Sequence, residues 1–210
     1  MTKINYLKEL IEIKKPFIIY KSDKGFDLYT DFSKKIILSK NNIKKFINKA
    51  TQFKSKKKET DLFIGFFGYE ILNNLIGVRI KKQKGLKFPK GIFYKPETKI
   101  KLQNKFDYKD LKPANSKKSF KVNINKASYK VVFNKFKKKI KLGETYQIKI
   151  CTKYSNKSQI DALDFFSRLV KTNMAPEAFM IKDKNYSIIS CSPENLITKK
   201  KNFITTKPIE

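Results

Sequence analysis

Acidic side chains are scarce in this chain, with 18 Asp and Glu against 49 Lys and Arg, and four glutamates stand out as candidates for acid–base chemistry: Glu144, Glu177, Glu194 and Glu210. Glu194 is the most informative, because the sequence Ser-Pro-Glu places it after a proline at the edge of a predicted strand. A carboxyl group there can act as a general acid or base in a suitable pocket. The alternative is a solvated turn residue, and residue types alone leave both open.

Composition excludes several other chemistries. The chain contains no histidine, so it cannot supply a histidine base, a histidine triad or a histidine metal site. It has no glycine-rich phosphate loop and no nucleophile elbow. Cys151 and Cys191 lack a Cys-x-x-Cys partner, and we expect both to be small buried apolar residues.

The formal net charge of +31 suggests nucleic acid as a partner, since clustered cations neutralise phosphates. Arginine, which reads bases and phosphates through its planar fork, occurs only at Arg79 and Arg168. The lysines are dispersed along most elements, so a basic nucleic-acid-binding module is the weaker hypothesis. No apolar run is long enough to cross a membrane and the N-terminus lacks a signal-peptide pattern, so we expect a cytoplasmic protein with no membrane partner.

Periodicity in the first third of the chain predicts two helices with strands between them. Apolar residues recur at helical spacing over 3–13 and 41–53. The intervening segment 16–39 predicts two or three short strands, with a tight turn at 22–25 in which Gly25 takes a positive φ.

Gly65 and Gly68 lie three residues apart among phenylalanines, which indicates a bulge or a close approach of two backbones. We expect 63–67 to be a fully buried strand there, followed by a helix. Residues 88–103 predict a pair of strands, and the Pro, Asn, Ser and Lys residues of 111–119 are typical of a linker.

The second half of the chain changes period twice. Residues 126–142 carry one apolar helical face, and Gly143 follows where a left-handed residue commonly ends a helix. The alternation over 144–155 predicts a strand, and 160–172 predicts a further helix. A hairpin around 183–185 and two more strands joined by a polar turn at 199–202 complete the prediction.

Five short segments form a more specific signal when their order and spacing are taken together: FFGYE at 66–70, GETYQI at 143–148, NMAP at 173–176, SCSPE at 190–194 and TKPI at 206–209. Together they resemble the large subunits of the chorismate-utilising amidotransferase enzymes, anthranilate synthase component I and aminodeoxychorismate synthase component I. Any one segment is a weak signal, but five in order over nearly the whole chain are specific. The resemblance implies an α+β fold in which antiparallel sheets are flanked by helices, as in the front half of this family's sandwich.

The resemblance also implies a chemistry. Such enzymes use Mg²⁺ to hold the carboxylate of chorismate and add ammonia to its ring, and the ammonia comes from a glutamine amidotransferase subunit. Glu194 matches the family's active-site glutamate, a candidate acid for the departing hydroxyl, and Thr206 matches a threonine near the substrate. Glu210, a candidate catalytic residue, stands where many aminodeoxychorismate synthases have a nucleophilic lysine and anthranilate synthases have alanine, and a carboxylate matches neither of these.

The product depends on which of the two enzymes this chain resembles more. Lys21 and Glu177 replace the glutamate and tyrosine that line the tryptophan pocket of anthranilate synthases, which favours aminodeoxychorismate synthase in folate synthesis over anthranilate synthase in tryptophan synthesis. We expect an N-terminal region at 1–115 and the start of the chorismate-binding domain at 116–210. The family's magnesium ligands are expected beyond residue 210, so we also expect the chain alone to be inactive and poorly stable, as a fragment, split gene product or degenerate copy would be.

Overall fold

The computed structural model describes residues 3–22, 24–51, 58–71, 77, 88–102, 119–157, 160–200 and 202–207. The chain forms two compact units: the first comprises Met1–Lys109 and Ala162–Glu210, and the second comprises Asp110–Asp161. The predicted boundary between residues 115 and 116 lies outside the described residues and stays a prediction.

The first unit contains antiparallel strands and three described helices. Its elements are α1 (Lys3–Glu12), β1 (Phe17–Ser22), β2 (Gly25–Ile37), α2 (Ile43–Thr51), β3 (Ile64–Phe67), β4 (Gly91–Leu102), α4 (Ala162–Asn173), β7 (Glu177–Lys182), β8 (Ser187–Ser192), β9 (Asn195–Lys200) and β10 (Phe203–Lys207). Six strands form one sheet in the order β3-β4-β2-β1-β7-β8, and β9 pairs with β10 in a two-stranded ribbon. All pairings are antiparallel, which confirms the predicted α+β class.

Strand alternation distributes the apolar residues to both faces of the sheet. Phe17 and Ile19 on β1 face the same core as Leu7 and Leu10 of α1, and Phe166 of α4 joins this cluster. The intervening Ile18 faces a second cluster on the other side, together with residues of β2, β4 and β7. Both faces of β1 and β7 therefore carry buried apolar residues.

Strand β2 contains an irregularity opposite a proline. Asp31 has a positive φ of 54°, and the register shifts between Phe32 and Lys34, where Phe32 pairs with Pro96 of β4. Proline cannot donate a ladder hydrogen bond, so it is compatible with a strand where pairing is interrupted. The predicted pair of strands at 88–103 was therefore wrong: β4 is one strand that accommodates Pro96 at this bulge.

The glycine prediction at β3 is confirmed, although the predicted burial is not. A Cβ built on Gly65 would lie 1.9 Å from the carbonyl oxygen of Ile92, and one on Gly68 would lie 2.5 Å from that of Lys90. The strand, however, lies at the edge of the sheet, and its residues are half-buried or, at Phe67, exposed. The expectation of full burial was wrong because β3 ends the described sheet, with β4 on one side of it. Residues 69–71 are helical, and the remainder of the predicted helix lies outside the described residues.

The second unit contains β5 (Lys121–Val122), α3 (Lys126–Lys141) and β6 (Tyr154–Ser155). The Asn125 side chain accepts a hydrogen bond from the backbone N–H of Ser128 and so caps α3, and Gly143 has a φ of 71° after the helix. The predicted strand at 144–155 was wrong for most of its length, because the described chain offers it only β5 as a partner. The predicted burial of Cys151 was also wrong: it is exposed, whereas Cys191 is half-buried.

Candidate functional site

Glu194 lies in the turn that joins β8 to β9. The turn is short, because Ser192 ends β8 and Asn195 begins β9. The Ser192 hydroxyl donates a hydrogen bond to the Glu194 carbonyl oxygen at 2.9 Å and accepts one from the Glu194 N–H at 3.3 Å. The backbone of Glu194 is thus held locally, while its side chain is exposed to solvent.

A second carboxylate supports this turn from the neighbouring strand. Glu177 begins β7 and stands directly opposite Ser192 in the β7–β8 ladder. Its Oε1 accepts a hydrogen bond from Nδ2 of Asn195 at 2.6 Å, and its Oε2 accepts one from the hydroxyl of Tyr20 at 2.5 Å. The side-chain amide oxygen Oδ1 of Asn195 in turn accepts a hydrogen bond from the hydroxyl of Thr198 at 3.0 Å. Residues on β1, β7 and β9 are therefore joined in one network beside Glu194.

Thr206 lies on β10, which returns to the same end of the ribbon. Lys207 pairs with Asn195, and the register shifts between Thr205 and Lys207, so Thr206 occupies the irregular position. Its side chain is exposed. The backbone thus brings Thr206 close along the ribbon to the turn that carries Glu194, and the roles expected for both residues stay predictions. Glu210 lies outside the described residues, and its predicted role stays a prediction.

The segments around Lys21 and Ala175, which the resemblance associated with an inhibitor pocket, are in contact. Strand β1 pairs with β7, and the Lys21 ammonium donates a hydrogen bond to the carbonyl oxygen of Ala175 at 2.5 Å. Met174, the neighbouring residue, has a positive φ of 42° and is exposed. Burial raises the pKa of the nearby Cys191 thiol, and the positive charge of Lys21 opposes that rise. A cation therefore occupies this position beside β7.

The hairpin that presents the turn is held at its other end by a buried acid. Asp183 follows β7 and is 4% exposed. It pairs with Lys35 of β2 at 2.6 Å and accepts a hydrogen bond from the Tyr94 hydroxyl of β4. Burial acts to raise the pKa of Asp183, but these two partners outweigh it and hold the pKa below its usual value. The β7–β8 hairpin is thereby joined to two other strands of the sheet.

The sequence singled out Glu194 and Thr206 as candidates, but not the residues whose contacts surround the turn. Tyr20 and Asn195 were not singled out, and Glu177 was noted only as a scarce acid and a replacement. The Tyr20–Glu177 contact joins residues 157 positions apart, so no local spacing could reveal it. The available signal was the placement of Asn195 directly after Glu194 at the start of a strand.

The described residues do not assemble a magnesium site. Among them, no three Asp, Glu or Cys side chains converge in a way that could hold a metal ion. Glu194 and Glu177 thus supply no metal-binding cluster, and the ligands that the resemblance places beyond residue 210 stay a prediction.

Among the residues that the structure describes, no helix is both long and apolar enough to cross a membrane.

The turn and ribbon offer two kinds of chemistry to a ligand. The exposed carboxyl of Glu194 can exchange a proton with a bound hydroxyl, and the hydroxyl of Thr206 can donate a hydrogen bond to an acceptor. Supporting contacts to Ser192 and Asn195 restrict the backbone that carries the carboxyl group.

Comparison with known proteins gives an independent result. The family model described as chorismate binding enzyme matches residues 12–210, which is nearly the whole chain. No curated protein matches the chain in sequence. The matched region contains Glu194, Thr206 and the network around Glu177. The chain belongs to the chorismate binding enzyme family.

Proposed function

We propose that this chain is the large subunit of an aminodeoxychorismate synthase, which aminates chorismate with glutamine-derived ammonia for para-aminobenzoate and folate synthesis. The observation that carries the choice is the contact of Lys21 with Ala175. The ammonium group of Lys21, held at this position, repels the ammonium of an amino-acid inhibitor. The anthranilate synthases that this chain resembles have a glutamate there instead. Family membership supports chorismate as the ligand.

The proposed step uses Glu194 and Thr206 in separate roles. Ammonia forms a C–N bond at the ring carbon para to the carboxylate, and the C–O bond of the ring hydroxyl breaks. The hydroxyl takes a proton from the carboxyl of Glu194 and leaves as water, and the resulting carboxylate takes a proton back from the new ammonium group to leave the amine. Thr206 donates a hydrogen bond that holds the substrate, so its contribution is to binding. A separate glutamine amidotransferase subunit is the proposed source of ammonia.

The first test is direct binding of chorismate to the full chain by isothermal titration calorimetry. We expect saturable binding that Thr206→Val weakens by a few-fold, since one neutral hydrogen bond contributes about 1 kcal/mol. Glu97→Gln, which neutralises an exposed carboxylate on β4, is the matched control and should bind as the wild type does. Failure of the wild-type chain to bind chorismate would contradict the proposal.

The second test identifies the reaction. The chain is supplied with chorismate, ammonium and Mg²⁺, with and without an amidotransferase subunit and glutamine, and products are resolved by liquid chromatography with mass detection. We expect aminodeoxychorismate, and a loss of about a hundredfold or more in turnover for Glu194→Gln with binding retained. Anthranilate as the product would establish the alternative reaction. The sequence also predicts that the chain alone is inactive, so any product that it does form should accumulate far more slowly than a family-like rate would give; turnover at such a rate would contradict that prediction.

A further inference from the structure

Glu177 occupies a position with no assigned role in the proposed reaction, yet it makes two strong contacts. Both carboxylate oxygens are used: Oε1 by the amide of Asn195 at 2.6 Å and Oε2 by the hydroxyl of Tyr20 at 2.5 Å. Hydrogen bonds to a charged acceptor are stronger than those between neutral groups. The carboxylate therefore joins β1 to the first residue of β9.

The contact of Glu177 with Asn195 lies next to the turn that carries Glu194. Glu177 pairs with Ser192 across the β7–β8 ladder, so it stands beside the residue that precedes the turn. Its side chain then binds Asn195, the residue that follows Glu194. The two-residue turn is consequently held on both sides, through the strand ladder before it and through the Glu177 carboxylate after it.

The ribbon that carries Thr206 depends on the same contact. Asn195 pairs with Lys207 of β10, next to Thr206. β9 and β10 form a ribbon separate from the six-stranded sheet, and several of its apolar side chains are exposed, among them Leu196 at 78% and Phe203 at 77%. A ribbon with so little apolar burial gains its orientation from specific polar contacts.

We infer that Glu177, supported by Tyr20, is a positioning residue that sets the orientation of Glu194 and Thr206 through Asn195. This inference rests on the proposed function, because its consequence is measured on the chorismate site. Glu177 touches no reacting atom in this scheme. It acts by restricting the turn and the start of the ribbon to one geometry.

Three substitutions separate the hydrogen bonds from the charge. Glu177→Leu removes both acceptors at similar volume. Glu177→Gln keeps an acceptor for Asn195, and its amide can donate to the oxygen of Tyr20, so both contacts can persist without the negative charge. Tyr20→Phe removes only one of the two contacts, and Tyr6→Phe on α1 is its matched control.

The experiment combines chorismate titration with the NMR signal of the Asn195 side-chain amide, assigned by its loss in Asn195→Ser. For Glu177→Leu we expect that signal to shift and the Kd for chorismate to rise by about tenfold, with the Tm close to that of the wild type. Glu177→Gln should restore the Kd to within about twofold, and Tyr20→Phe should give an intermediate value. Rescue by glutamine is the outcome that a general loss of stability would not produce.

Two results would overturn the inference. If the wild-type chain binds chorismate and Glu177→Leu binds it equally well, Glu177 does not position the site, whatever the NMR signal does. If Glu177→Gln is as impaired as Glu177→Leu, the charge and not the hydrogen bonding is responsible. Absence of chorismate binding by the wild type is a different result, because it refutes the proposed function and the positioning role together.

Discussion

Replacing Gly65 with alanine should detach β3 from the sheet. A Cβ at this position would lie 1.9 Å from the Ile92 carbonyl oxygen and 2.8 Å from the Cα of Phe93, and all of these neighbours are backbone atoms. Ordinary contact begins at 3.4 Å, so the strands must separate by 3.4 − 1.9 = 1.5 Å. No rotamer change can relieve the overlap, because no side chain is involved.

The cost follows from what that separation breaks. β3 pairs with β4 over four residues, and a displacement of this size lengthens the central hydrogen bonds beyond bonding distance. Losing two of them costs about 2 kcal/mol, and partial exposure of Phe66 adds about 1–2 kcal/mol. The sum, about 3–4 kcal/mol, is a large fraction of the roughly 5–15 kcal/mol by which domains are typically stable.

Urea unfolding followed by far-UV circular dichroism measures this difference in free energy. Gly77→Ala is the matched control: Gly77 lies in the same unit and has a φ of 74°, and no atom of the described residues lies within 4 Å of a Cβ built on it. We therefore expect its cost to be that of the left-handed backbone, about 1 kcal/mol. A free energy of unfolding for Gly65→Ala equal to that of Gly77→Ala would refute the close-approach argument.

Three further predictions concern other parts of the chain. Asp183 has its pKa lowered by its lysine and tyrosine partners, so its carboxylate stabilises the fold above its ordinary pKa of 3.8 and that contribution is lost as pH falls below it; urea stability should decline from about pH 5 to pH 3 in the wild type and less steeply in Asp183→Asn. Asn125→Ala should cost the second unit about 1 kcal/mol by removing the helix cap, whereas Asn125→Asp should retain most of it, as thermal melts would show. Lys21→Met should raise the pKa of Cys191 further and slow its alkylation at pH 8, measured in a Cys151→Ser background; an unchanged rate would contradict the proximity of the two groups.

Local sequence signals predicted the parts of the fold that local physics determines. The turn at Gly25, whose φ is 123°, required only a residue free to adopt positive φ. The close approach at Gly65 followed from glycine among large apolar residues, and α3 followed from a helical apolar face with a cap before it and Gly143 after it. For the turn and for α3 the deciding interactions lie within a few residues; at Gly65 the sequence signal is local, although the backbone that approaches it belongs to Ile92.

Predictions failed where the outcome depended on distant neighbours. Alternation over 144–155 indicates an extended chain, but a strand also needs a partner. Among the residues that the structure describes, pairing in this segment is limited to Tyr154–Ser155. The edge position of β3 depended on which strand stood beside it. The site shows the same division: Glu194 was visible from Ser-Pro-Glu, whereas its support by Glu177 came from a pairing of β7 with β8 and of β7 with β1.

The bulge in β2 has a consequence for how this sequence selects one structure. Lysine and isoleucine occupy positions 34–37 of β2 and recur along β4, so an alignment offset by two residues would still place some similar side chains opposite one another. Pro96 and a residue with positive φ such as Asp31 each fit a ladder where its regular pairing is interrupted. In the observed register, both lie at the bulge. An offset alignment would leave a paired position without a donor. Asp31 and Pro96 thus distinguish the native alignment of β2 and β4 from offset alignments of similar energy.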